Sequence, residues 1–324
     1  MQRLLLVSTA ALALLASHIH AGETVLNWGC VMPPNHIVVQ TIERIGKNLE
    51  EKTGGLVVIK AHPGGQLGSS HDMIEAVSMG LQELVIEGSG NFGTYVPAIS
   101  IMESPYVWRD PEHLTKTIDG PIGQEFSQRL IETSGIRFLG AFYYGKRHLT
   151  STSREILHVA DMKDFTLRVP ESAVFEEMAR AWGAEPTPLT FNELYLALKQ
   201  NQVDGQENPL PTIESSKFYE VQKYLILTGH ILTPLMVGMN EEVYQSLSEA
   251  HKQALHEAMA EGIAWNNAEI TKREEELVEI LKNAGMIVIE PDFEEFKRPV
   301  LERQLKLFEE QWGKDTWDRI QAVH

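Results

Sequence analysis

An α/β protein of two interleaved lobes is predicted by three observations: strand and helix patterns alternate, the chain exceeds one core, and one apolar period outruns a small lobe. Strand-like runs at 24–28 (Thr24 to Trp28) and 56–60 (Leu56 to Lys60) flank a helical pattern over 36–52, and a second helix at 72–80 leads to a strand at 83–86. Such alternation argues for α/β architecture. With an amino-terminal leader set aside, about 300 residues remain, more than a single core usually supports. Repeats, low-complexity tracts and long linkers are absent, so the chain crosses between the lobes more than once.

The leader is read from residues 1–21, where Arg3 precedes an apolar run from Leu4 to Ala16 and a small residue, Ala21, closes the segment. This is the layout of a signal peptide cleaved after Ala21. The run is too short to span a bilayer. The alternative is a buried amino-terminal helix, but no amphipathic period is visible and His18 and His20 close the run. Cys30 follows Asn27-Trp28-Gly29, which is no lipobox, so a lipid anchor is not expected. A single cysteine excludes an internal disulfide and reads as a small buried hydrophobe. A formal net charge of -17 disfavours nucleic acid and anionic membrane surfaces as partners. An acidic chain that binds an anion must concentrate positive charge locally, which draws attention to its few arginines in loops.

The long period runs from Ser248 to Ala284. Leu255, Met259, Ile263, Ile270, Leu277 and Leu281 recur at helical spacing, Ser246 or Ser248 can cap the start, and Gly285 can end it. One helix of this span measures roughly 55 Å. The alternative is two helices with a kink near Gly262 or Asn266-Asn267.

The stretch 167–230 carries the chemistry. Arg168 lies in Leu167-Arg168-Val169-Pro170, a short strand that Pro170 ends because proline lacks the ladder N–H. An arginine there projects its planar fork toward the crevice where α/β proteins place ligands. Residues 183–189 read as a stiff proline-punctuated connection, and 191–198 as a helix. Asp204-Gly205 then turns the chain and leaves Gln206, Glu207 and Asn208 exposed before Pro209. The whole reads as an anion-binding site built on loops.

No reaction centre accompanies it. The chain has twelve histidines, yet no His-Glu-x-x-His, paired-cysteine site, Gly-x-Ser-x-Gly elbow, P-loop or dinucleotide fingerprint. Gly64-Gly65 and Gly68 lack the lysine and hydroxyl of a phosphate cradle and read as a turn. His251 and His256, five apart, read as solvated, and neither metal nor cofactor is expected. The enzyme reading that survives is a secreted hydrolase using carboxylates such as Glu171 with Glu207.

At these residues the chain resembles the DctP-type solute-binding proteins of tripartite ATP-independent periplasmic (TRAP) transporters. The likeness is carried by Arg168 in Leu-Arg-Val-Pro, the Pro186-Thr187-Pro188 turn, Glu193 with Tyr195 and Ala197-Leu198, the run from Asp204 to Pro209, and Tyr219 to Tyr224 with Thr228 and His230. Gln66-Leu67-Gly68 and the run from Gly145 to Thr150 extend it over essentially the whole mature chain. The resemblance implies a two-lobed, type II-like periplasmic binding protein with a ligand cleft between lobes and a long helix crossing both. Residues 22–144 plus 234–273 would form lobe I, and 145–233 plus 274–324 lobe II, which carries the arginines. It also implies a binding protein and no enzyme, a monomer in the periplasm of a Gram-negative-type cell, working with a small and a large integral membrane subunit.

The resemblance likewise implies residue roles. Arg168 would form the bidentate salt bridge to a ligand carboxylate, with Arg147 a second arginine near the pocket. Asn208 would bond the ligand, Phe191 would pack against it, and Glu207 and His230 would buttress Arg147. Glu171, and Ser69-Ser70 after Gln-Leu-Gly, depart from the pattern of the family's sialic-acid binders. A hexuronate such as glucuronate or galacturonate is therefore expected, with Glu171, Asn208, Ser70, Glu87 and Asn91 bonding hydroxyls. Other aldonic or keto sugar acids come second and C4-dicarboxylates third; a 2-oxo acid would need a smaller, more apolar site.

Overall fold

In the computed structural model, residues 23–324 are described, and the leader expected at 1–21 lies outside them. Strand β1 (Thr24–Gly29) leads into helix α1 (Ile37–Thr53) and back to β2 (Val57–His62), parallel to β1 from Thr24↔Val57 to Gly29↔His62. The His36 ring accepts the Val38 N–H at the start of α1, and Gly54, at φ 62, closes it. Helix α2 (Ser70–Ser78) begins with a Ser69–Asp72 capping box. It delivers β3 (Leu84–Gly88), which flanks β1 on the other side and is buried throughout. A short helix α3 (Ser89–Phe92), a 3₁₀ segment (Pro97–Glu103) and helices α4 (Pro111–Asp119) and α5 (Pro121–Ser134) follow.

Two long strands carry the chain from one half to the other. β4 (Ile136–Ser151) pairs antiparallel with β9 (Leu232–Asn240) from Ile136↔Asn240 to Lys146↔Leu232. Its last residues pair instead with β7 (Gly205–Pro209), from Arg147↔Pro209 to Ser151↔Gly205. With β5 (Thr166–Val169) and β6 (Glu185–Pro188) the strand order is β2-β1-β3-β9-β4-β7-β5-β6. β8 (Tyr224–Ile226) joins the end of β4, and β10 (Ile287–Ile289) pairs with β8. Helices α6 (Ala173–Ala181), α7 (Phe191–Lys199), α8 (Leu210–Ser215) and α9 (Glu241–Ser246) fill the connections.

Helix α10 (Glu249–Asn283) is one unbroken element of 35 residues capped by Ser248. Leu255, Met259 and Ile270 pack in the apolar core around β1, β3 and α1, while Leu277 and Leu281 pack in another with Leu194 and Phe218. The residues that might have kinked it have other work. A methyl group on Gly262 would collide with Ile45, so the glycine lets α1 and α10 approach closely. Asn266 donates to the Tyr143 carbonyl at 2.8 Å and Asn267 accepts the Tyr143 N–H at 2.9 Å, satisfying β4 where its register slips between Tyr143 and Gly145.

Two expectations are corrected. Residues 183–189 are not just a connection, because β6 lies parallel to β5 from Thr166↔Glu185 to Val169↔Pro188. Pro186 and Pro188 are tolerated because β6 is an edge strand. Residues 205–209 are not an exposed turn: β7 is a buried inner strand between β4 and β5, with Gln206 and Glu207 fully enclosed and Asn208 nearly so. With Arg147 on β4 and Arg168 on the strand expected for it, β5, both arginines stand on strands and the site is not built on loops alone. Along 274–324 the chain packs in more than one apolar core. In helix α11 (Phe293–Trp312), Phe296 and Val300 pack beside β5 and α6, but Phe308 and Trp312, with Ile320 of α12 (Thr316–Gln321), join the amino-terminal core.

Candidate functional site

A cavity opens where the two halves meet. β4, β5 and β7 supply Arg147, Arg168 and Asn208 to its wall, and α7 supplies Phe191. From the other half come Glu87 on β3, Ser70 on α2 and Asn91 on α3. Glu171 also borders the space, but from the exposed rim after Pro170. All eight residues anticipated as ligand contacts therefore line one cavity. The halves nearly touch around it: a methyl group on Gly90 would lie 2.9 Å from Ser172 Oγ, and one on Gly65 would lie 2.5 Å from Asn192 Nδ2.

The two arginines are held differently. Arg147 Nε donates to Glu207 Oε2 at 2.5 Å, and its Nη2 donates to Glu207 Oε1 at 2.7 Å, the Glu207 carbonyl at 2.8 Å and Asn208 Oδ1 at 3.1 Å. Cross-strand pairing of β4 with β7 makes this possible by setting Arg147 against Pro209 and Leu149 against Glu207. Behind it, His230 Nε2 lies 3.0 Å from Glu207 Oε2 and His230 Nδ1 2.7 Å from the Thr228 hydroxyl. Burial favours the uncharged form of His230 and outweighs the pull of Glu207. The neutral ring then donates from Nε2 to the carboxylate and accepts the Thr228 hydroxyl at Nδ1. Burial also opposes ionisation of Glu207, but Arg147 and His230 hold its carboxyl below the usual range.

Arg168 has no such partner. Its Nε and Nη2 both donate to the Leu189 carbonyl, at 3.0 and 2.6 Å, and no carboxylate among the described residues forms a salt bridge with it. It is 3% exposed. Burial pulls its pKa down to about 10, so it remains a cation. A buried, hydrogen-bonded but uncompensated guanidinium facing a cavity is a seat for an anion.

Glu87, expected to bond ligand hydroxyls, is buried on β3. Burial, with Glu103 nearby, pushes its carboxyl up to about 8, partly offset by Ser70 and Asn91. Glu103 itself, along with Tyr144 and Thr233, lines the cavity and was not anticipated. The available signal was an acid closing the apolar run Ala98-Ile99-Ser100-Ile101-Met102. The hydrolase pair Glu171 with Glu207 is not assembled, because Glu207 sits behind Arg147 with both oxygens engaged and does not border the cavity. Among the described residues no cluster of side chains can hold a metal ion, and no helix is long and apolar enough to cross a membrane.

Residues 28–311 match the family model of bacterial extracellular solute-binding proteins, family 7 (DctP). The chain belongs to the DctP family. It is 32% identical over 317 residues to the sialic acid-binding periplasmic protein of Vibrio cholerae, covering 98% of each chain. A TRAP periplasmic solute-binding protein from Polaromonas, solved with D-erythronate, superposes with a TM-score of 0.87 at 34% identity, covering 93% of this chain and 99% of that one. Another from Xanthobacter autotrophicus, solved with β-D-galacturonate, gives 0.85 at 26%, covering 92% and 100%. DctP-family proteins are periplasmic receptors of TRAP transport, which matches the two-lobed architecture described above.

Proposed function

We propose that this DctP-family protein captures a small organic acid, with a hexuronate such as galacturonate or glucuronate first in order, and passes it to a small and a large TRAP membrane subunit. Arg168 carries the reading, since a buried cation without a carboxylate partner is completed by a ligand carboxylate in bidentate geometry. In this reading Asn208 bonds the ligand and Phe191 packs against it, while Glu87, Ser70, Asn91 and the rim residue Glu171 meet its hydroxyls. Arg147 shapes the same wall, held by Glu207 and His230. The receptor acts as a monomer in the periplasm after leader removal, and its halves close on the acid. The galacturonate-bound and erythronate-bound relatives support a hydroxylated monoacid.

Sialic acid is the second reading, favoured by the name of the Vibrio relative. A thermal-shift screen of hexuronates, aldonates, sialic acid, 2-oxo acids and C4-dicarboxylates separates them, because a ligand that binds only the folded state adds about 2.7 kcal/mol at a hundredfold excess over Kd. Calorimetry on Arg168→Lys then tests the anchor. Loss of about 2–5 kcal/mol of binding is expected, and near-wild-type affinity would reject it.

A further inference from the structure

We propose that Glu103, acting with Glu87, determines specificity: the two carboxyls form an acidic wall that takes ligand hydroxyls and turns away a second carboxylate. This rests on the organic-acid reading above and narrows it to polyhydroxylated monocarboxylates.

Glu103 ends the 3₁₀ segment and is clasped by the turn from β3 into α3. The Gly90 N–H donates to its Oε2 at 2.6 Å. A methyl group on Gly88 would lie 2.5 Å from Glu103 Oε1, and one on Gly90 2.7 Å from Oε2. Two glycines therefore bring the backbone against this carboxyl, which borders the cavity while only 4% exposed. Beside it Glu87, 3% exposed, has one oxygen 3.5 Å from Asn91 Nδ2. Its other oxygen, Oε1, has no hydrogen-bond partner among the described residues, and neither does the buried Thr233 hydroxyl on β9. Both residues line the cavity.

Buried polar atoms left unpaired are costly, so groups of this kind at a cavity wall point to a ligand that completes them. A ligand hydroxyl can donate to Glu87 Oε1 and accept from Thr233. A second carboxylate cannot donate, and above about pH 8, where Glu87 and Glu103 have both lost their protons, it would face two like charges in a poorly solvated space. Glu207 already pairs with Arg147, whereas Arg168 meets no carboxylate side chain among the described residues and so offers one seat for a ligand carboxylate. The ligand thus has one charged end and a hydroxyl-rich remainder.

The test is calorimetry at pH 9 on the full mature protein, where both carboxyls are ionised, using galactonate and galacturonate against galactarate, which carries a carboxylate at both ends of the same skeleton. Gluconate, glucuronate and glucarate form a parallel series, with succinate, malate, pyruvate and sialic acid alongside. Wild type should favour the monoacids over the matching diacid by about tenfold or more, and Glu103→Gln and Glu87→Gln should each shrink that ratio by about tenfold. An unchanged ratio in both folded variants overturns the proposal. So does a wild type that binds the diacid as tightly as the monoacid, a result that needs no variant to fold. Binding of succinate or malate alone overturns it while the organic-acid role stands. No binding of any acid in the panel rejects that role, and this proposal with it.

Discussion

Arg147 and Glu207 form a two-point ion pair, Nε to Oε2 at 2.5 Å and Nη2 to Oε1 at 2.7 Å, with both side chains withdrawn from solvent. Arg168, lining the same cavity, meets only the Leu189 carbonyl. Two arginines that look alike in sequence therefore divide the work. One is matched by its own protein and stiffens the wall, and the other meets no carboxylate among the described residues, as the proposed anchor requires.

Removing the matching charge should destabilise the fold before it alters binding chemistry. Glu207→Gln leaves Arg147 enclosed without a counter-charge and turns one of the two oxygens that serve Arg147 and His230 into a donor. A loss of about 3–5 kcal/mol in unfolding free energy is expected, because breaking a buried pair strands the remaining ion. Urea denaturation followed by circular dichroism measures it, and a loss below about 1 kcal/mol would show that the pair is not structural.

The opposite sign is expected at Arg168. With no ligand present, its burial without a counter-charge opposes folding, so Arg168→Met, similar in reach and free of charge, should leave the unliganded protein at least as stable as wild type. The same variant should lose the thermal shift produced by the cognate acid. A large drop in the unliganded melting temperature would mean that the two bonds to Leu189 outweigh the cost of the buried charge.

Why these roles were only half legible in the sequence follows from what local patterns record. Periodicity located α1, α7 and α10, and the short apolar strands, because each buries one face and repeats accordingly. The family pattern located Arg147, Arg168, Asn208 and Phe191, which the fold brings to one cavity. Failures arose where tertiary context overrode local chemistry. Gly205-Gln206-Glu207-Asn208-Pro209 is polar and proline-ended, as an exposed turn would be, yet it is an inner strand. Its burial is possible because Asn208 donates to Gln206, Gln206 to Thr150, and Glu207 to nothing but accepts from Arg147 and His230. Such a network joins residues up to sixty positions apart and leaves no trace in spacing. Glu103 was missed for the same reason, since its meaning depends on Gly88 and Gly90 folding against it.

Glu87 and Glu103 should also write a signature into the pH dependence of stability. Burial lifts Glu87 to about 8 and Glu103 to about 7, whereas both carry an ordinary value of 4.5 without the fold. Between pH 4.5 and 8 the folded protein therefore keeps protons that the unfolded chain has released. Stability contributed by these groups is complete below about pH 4.5, falls as pH rises, and levels off above about 8. Buried His36 and His148, lowered to about 3 by burial, act in the opposite sense at acid pH, so wild type alone is not diagnostic. The difference between Glu87→Gln and wild type cancels them. That difference should be small at pH 4.5 and grow to roughly 1–3 kcal/mol in favour of the variant at pH 8. Urea midpoints at pH 4.5, 6 and 8 measure it, and parallel curves for the two proteins would show that Glu87 is ionised in the folded state throughout.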